Sequence, residues 1–252
     1  MERRFVRNAI LVFLGVLIIF ASGCADNSES ENAPVQETMD EGMANDSVVD
    51  PADFVEGVDN PYFPLEPGTT FFYEGQVETV PTDVEIYVTD QTKDVMGVTT
   101  TVVRENESID GELVEVAYSW YAQDTDGNVW YFGKDAKEYD NGEVVDTIGS
   151  WEAGVDGAEP GIVMLADPQP GLAYRQEYYE GVLEDQAAVV SLTENVTVPS
   201  GSFENSLLIQ EWSAIDHGYE VNKYYAKDVG LVKEMAVRGA DEKFELLSMT
   251  GE

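Results

Sequence analysis

Fifty of the 252 residues are Asp or Glu, but there is one His, His217, and one Cys, Cys24. That inventory limits the chemistry. His217 lies in Asp216-His217-Gly218, a turn-like setting, whereas a Ser-His-Asp triad needs its His on a scaffold beside a nucleophile. The chain has no His-Glu-x-x-His, Cys-x-x-Cys or P-loop pattern. One His and no second Cys make a poor transition-metal set. Asp124 and Asp126, in Asp124-Thr125-Asp126-Gly127-Asn128, could offer oxygens to calcium. The Gly is misplaced for an EF-hand loop, however, and a hairpin turn explains the segment without a metal. No cofactor is called for. Paired carboxylates could hydrolyse a glycoside, and Glu152, Glu177 and Glu211 stand out because each adjoins an aromatic. Aromatics also cluster: Tyr118, Trp120, Tyr121, Trp130, Tyr131, Phe132 and Trp151, then Tyr174, Tyr178 and Tyr179 around Arg175. Aromatics on the concave face of a curved sheet would wall an apolar pocket with a few polar handles. Trp120, Trp130, Trp151, Arg175 and Tyr178 are the candidate lining, with Arg175 placed to meet a carboxylate or phosphate. The alternatives are core packing for the rings and an acidic partner for Arg175.

Strands must position these residues. Val84, Ile86 and Val88 alternate with Asp83, Glu85, Tyr87 and Thr89. Val114, Val116, Tyr118, Trp120 and Ala122 alternate with Glu115, Ala117, Ser119 and Tyr121. Such a period of two marks β-structure. Further runs cover 172–180, 185–194, 205–214, 219–226, 230–238 and 243–249. Asp110-Gly111, Asp126-Gly127 and Asn141-Gly142 are hairpin dipeptides that supply positive φ. No long stretch after the N-terminal segment holds a period of 3.6, although a short helix has room at 50–58 or 201–206. The expectation is an all-β domain, a strongly curved antiparallel sheet or incomplete β-barrel of roughly ten strands. Residues 147–171 are Gly/Pro-rich but carry Trp151, Ile162, Met164 and Leu165, which suggests an ordered lid loop.

The N-terminus addresses the chain. Arg3, Arg4 and Arg7 precede an apolar run from Ala9 to Phe20, which closes on Ala21-Ser22-Gly23-Cys24. The run is about a dozen residues, short of the ~20 a spanning helix needs, so it reads as an export signal. Ala21-Ser22-Gly23-Cys24 resembles the lipobox of prokaryotic lipoproteins, with Ala21 in place of the usual Leu. That resemblance implies lipidation at Cys24, palmitate among the acyl chains, and attachment to the membrane. Two or more chains make such an anchor stable. Residues 1–23 then form the signal, 24–51 an acidic tether without aromatics, and 52–252 a single domain. With Cys24 lipidated, no disulfide is available to the domain.

The formal charge is -37. It excludes electrostatic nucleic-acid binding, which requires basic contacts to phosphates. Surface self-repulsion of this size implies stabilisation by salt. The acids read mainly as a solvated surface.

Three stretches resemble a family of uncharacterised secreted and lipid-anchored prokaryotic β proteins. They are Asn60-Pro61-Tyr62-Phe63-Pro64-Leu65-Glu66-Pro67-Gly68-Thr69, the segment from Trp130 to Tyr179, and Val198-Pro199-Ser200-Gly201-Ser202-Phe203 with Tyr224 to Val232. The likeness covers most of 60–235 and brings no activity with it. The third stretch is also similar to periplasmic β-sheet lipoproteins, which implies a half-open barrel of the LolA/LolB-like kind. The leading expectation is a non-enzymatic, lipid-anchored binding module of the cell envelope for an apolar or amphipathic ligand. The alternatives are an envelope protein with a filled core that binds another protein, and a carboxylate-based hydrolase.

Overall fold

The computed structural model describes residues 49–251. The signal, Cys24 and the tether up to residue 48 lie outside the described residues. A 3-10 turn at Pro51–Asp53, capped by the Asp50 carboxylate, leads into β1 (Phe54–Val55). Then come β2 (Thr70–Val77), β3 (Val80–Val95), β4 (Val98–Ile109), β5 (Glu112–Asp124), β6 (Val129–Asp140), β7 (Glu143–Asp146), β8 (Trp151–Glu152) and β9 (Glu159–Met164). The chain ends with β10 (Ala173–Arg175), β11 (Glu177–Tyr178), β12 (Asp185–Val198), β13 (Gly201–Ser213), β14 (Glu220–Ala226), β15 (Gly230–Arg238) and β16 (Glu242–Thr250). The all-β expectation holds. The strands beyond the expected ten are mostly pieces of two to four residues, too short to show a period. Residues 201–206 are strand.

The long strands follow one another as antiparallel neighbours from β12 to β16, then through β2 to β6 and β9. Most joints are tight hairpins or short loops, but β16 meets β2 from the other end of the domain and β9 reaches β6 after the stretch that carries β7 and β8. At Asp110-Gly111 and Asn141-Gly142, φ is 52° and 77°, and 53° and 80°. That is the double left-handed turn whose twist suits paired strands. Met96-Gly97 makes the same turn between β3 and β4, at 55° and 82°.

The sheet curls into a barrel with one seam. β10 pairs with β12, and β11 pairs with β9. β10 and β11 are separated only by Gln176, so residues 173–178 cross from one sheet edge to the other. The Gln176 N–H donates to the Asp185 carbonyl at 2.8 Å. The crossing presses on Gly161, where a Cβ would lie 2.5 Å from the Arg175 carbonyl oxygen. The Gly/Pro-rich stretch 147–171 runs along β6, where β8 and β9 both pair.

The Pro-punctuated entry seals one end. The Asp59 and Asn60 N–H groups both donate to Gln123 Oε1, at 2.9 and 2.8 Å. Asn60 Nδ2 donates to the carbonyls of Gly127 and Leu165. This clamp turns Phe63 inward onto Tyr121, with ring centroids 5.3 Å apart. The stack continues to Tyr131 at 5.0 Å and Trp151 at 5.3 Å. Outside the wall, β1 pairs with β5, and Phe54 covers Trp130 and Phe132.

Candidate functional site

Strand alternation decides what the barrel encloses, because successive side chains point to opposite faces. In β5 Glu115, Ala117, Ser119, Tyr121 and Gln123 are buried on the inner face, while on the outer face Val114, Val116 and Tyr118 are only half-buried and Trp120 and Ala122 are covered from outside. In β4 it includes Val103, Glu105 and Glu107. Other strands add Glu177, Asp185, Glu211, Glu234 and Glu242. Eight acidic side chains and two lysines, Lys134 and Lys223, are thus buried among the described residues. The charge is not only a solvated surface: part of it lines the interior.

Two groups of acids result. In the first, Lys223 Nζ lies 2.7 Å from Glu211 Oε2 and 3.6 Å from Glu234 Oε2. Burial alone would lower the Lys223 pKa, but Glu211 and then Glu234 hold it raised. Gln176, from the seam, donates to Glu211 Oε1 at 2.8 Å. Beside it Glu177 and Asp185 share a hydrogen bond between carboxyls. Burial raises both pKa values, and the Glu177 charge pushes Asp185 further. Two adjacent buried carboxyls cannot both ionise cheaply.

In the second group Glu107 and Glu115 are direct cross-strand partners, and Glu138 is the next partner across β6. Burial raises Glu107 well above the usual carboxylate range, and Glu115, Glu105, Glu242 and Glu234 add to it. Glu115 is pushed up to about 7 by burial, against the pull of Lys134. Burial also raises Glu242, with Glu234 adding. Tyr219 donates to Glu242 Oε2 at 3.2 Å.

The five residues expected to line a pocket fall in three places. Trp120 is on the outer wall under Lys93, whose Nζ sits 3.2 Å from the ring centre. Trp130 is also outside, beneath Phe54, and donates to Asp124 Oδ2 at 2.8 Å. Trp151 packs on Tyr131 at the end of the interior stack. Arg175 donates to Glu159 Oε2 at 2.7 Å and lies 4.6 Å from the Tyr178 ring centre, outside the seam. Adjacent residues such as Trp120 and Tyr121 necessarily face opposite ways. The acids set aside for hydrolysis divide as well. Glu177 and Glu211 are interior, whereas Glu152 pairs with Lys93 at 2.6 Å near the surface. Asp124 is occupied as a turn residue: Oδ1 accepts from the Asp126 and Asn128 N–H groups, and Oδ2 from Asn128 Nδ2 and Trp130 Nε1. These four donors take up the lone pairs that a calcium ion would need.

At the entry-sealed end a small apolar cleft, open to solvent, lies between residues 63–65 and the wall. Phe63, Leu65, Phe71, Ile86, Val103 and Leu231 are among its lining residues. Tyr73 is on its floor, and its hydroxyl donates to the Leu231 carbonyl at 2.9 Å. Burial raises the Tyr73 pKa, with Glu105 and Glu234 acting on it from the acidic interior. Sequence reasoning missed this cleft because its lining comes from five separate segments.

No family model and no curated protein matches the chain. Two solved structures are similar to it, each at 13% identity. One, from Bacteroides fragilis, is described as an exported protein with a YmcC-like fold; the match covers 76% of this chain and 100% of that one, with a TM-score of 0.37. The other, from Parabacteroides distasonis, is described as a lipoprotein; the match covers 76% of this chain and 99% of that one, with a TM-score of 0.32.

Proposed function

We propose that the chain is a lipid-anchored, extracytoplasmic binding module that takes an apolar group of a small amphipathic ligand into the cleft beside Phe63. The N-terminal export pattern and Cys24 support the address and the anchor. The apolar cleft carries the binding reading. Its walls are held by the Asn60–Gln123 clamp, so the site is formed before the ligand arrives and little ordering cost is added on binding. Its size suits a short apolar group rather than a whole lipid. An amphipathic ligand would leave its polar part in solvent, since the cleft is open.

The test uses the domain purified from membranes and Nile red as an uncharged apolar probe. Saturable one-to-one binding to the wild type, lost in Val229→Trp with no change in melting temperature, is the expected result. Val229 lines the cleft and is only partly buried, so the larger ring can fill the space without breaking the core. Equal binding by the two proteins overturns the reading.

A further inference from the structure

The apolar cleft is bounded by buried side chains of four strands: Phe71 and Tyr73 of β2, Ile86 of β3, Val103 of β4 and Leu231 of β15. A group lying in it has two ways to reach deeper. One leads past Tyr73, whose hydroxyl is tied to the Leu231 carbonyl. Glu105, the next inward position of β4 after Val103, is 3% exposed. An apolar group gains nothing from a buried carboxyl and would only strip it further of water. The other way leads through Phe63. Its ring lines the cleft on one side and packs on Tyr121 on the other, with centroids 5.3 Å apart and planes at 58°. Behind it Tyr121 and Tyr131 offer stacked, fully buried ring faces. Phe63 is therefore a wall shared by the cleft and the aromatic stack, and volume removed from its ring joins the cleft.

The backbone around Phe63 is held on both sides. The Phe63 N–H donates to the Asn60 carbonyl and the Leu65 N–H to the Val58 carbonyl, each at 3.0 Å, and the Asp228 N–H donates to the Pro61 carbonyl at 2.6 Å. Asn60 is itself clamped to Gln123. A segment fixed in this way relaxes only in part when a side chain is shortened, so the vacated space stays open. We propose that Phe63 determines specificity in the cleft, by setting how long an alkyl chain it accepts. This role presupposes that the cleft is the ligand site.

The experiment displaces Nile red from the domain purified from membranes with n-alkyl maltosides, hexyl to decyl, each kept below its micelle concentration. In the wild type each added methylene should strengthen displacement by up to about fourfold while it is buried, and the gain should stop at the chain length that meets Phe63. In Phe63→Leu the gain should continue to a longer chain. Phe63→Met, whose thin and flexible side chain can swing aside, should act in the same direction and provides a second variant should the first fail to fold. Phe54→Leu makes the same change outside the wall and should keep the wild-type limit. A limit unmoved in the folded Phe63 variants, or moved as far by Phe54→Leu, overturns the role of Phe63 and leaves the cleft as the site. Absence of saturable Nile red binding to the wild type overturns both.

Discussion

Lys223 is the residue on which the acidic interior most depends. Its side chain is 5% exposed and bridges Glu211 and Glu234, themselves 3% and 2% exposed. Removing one partner of a buried ion pair leaves a charge uncompensated and costs about 3–5 kcal/mol. Lys223→Met should lose stability on that scale in urea unfolding, and Glu211→Gln added to it should restore part of the loss. The Glu177–Asp185 pair sets a pH dependence. Both folded-state pKa values are raised above their ordinary values by burial. The folded protein therefore binds more protons than the unfolded chain above the ordinary carboxylate pKa of about 4. The stabilisation is complete below that pKa and is lost as pH rises through the raised values. Glu115, pushed up to about 7, and Glu242, pushed up to about 8, act in the same sense, so the melting temperature should fall from pH 5 towards pH 8. Asp185→Asn, which removes one titrating group, should flatten the fall; an unchanged slope would show that the pair does not set it.

Two elements matter more than their length suggests. The crossing segment 173–178 spans the seam, and Gly161 leaves it room. Gly161→Ala would place a Cβ 2.5 Å from backbone atoms of the segment, so a strand must shift. The seam should then open selectively, seen as faster amide exchange at 173–178 with β2 to β5 unchanged. The entry segment owes its place to Asn60 and Gln123, and its anchor is Phe63, 6% exposed. Phe63→Ala should cost about 3–5 kcal/mol, the usual range for emptying a buried aromatic position. A loss well under 1 kcal/mol would mean that this end collapses to fill the gap.

At the scale of the molecule, a formal charge of -37 acts on every state. Surface repulsion weakens as salt shortens the screening length from ~10 Å at 0.1 M to ~3 Å at 1 M. The melting temperature should rise from low to molar sodium chloride; a flat response would show that repulsion does not limit stability. Cys24→Ser should release the protein from membranes or leave it unprocessed, and unchanged detergent partitioning would remove the lipid anchor from the account.

Alternation and turn dipeptides were enough to read the all-β class and most long strands, because both are local properties of the backbone. The same alternation determined that Trp120 and Tyr121 cannot share a face. What it left open is which face is inside. In β5 the Val114-Val116-Tyr118 phase looks more apolar, yet the barrel buries the Glu115-Ala117-Ser119-Tyr121 phase. Small side chains at 117 and 119 let the wall curve around Tyr121 and Tyr131, and strap β1 covers Trp130 from outside. Acids spread over β4, β5, β11, β12, β13, β15 and β16 thereby meet in one interior. The position of that interior depends on closure across 173–178, a contact between distant parts of the chain, so only the tertiary structure decided it.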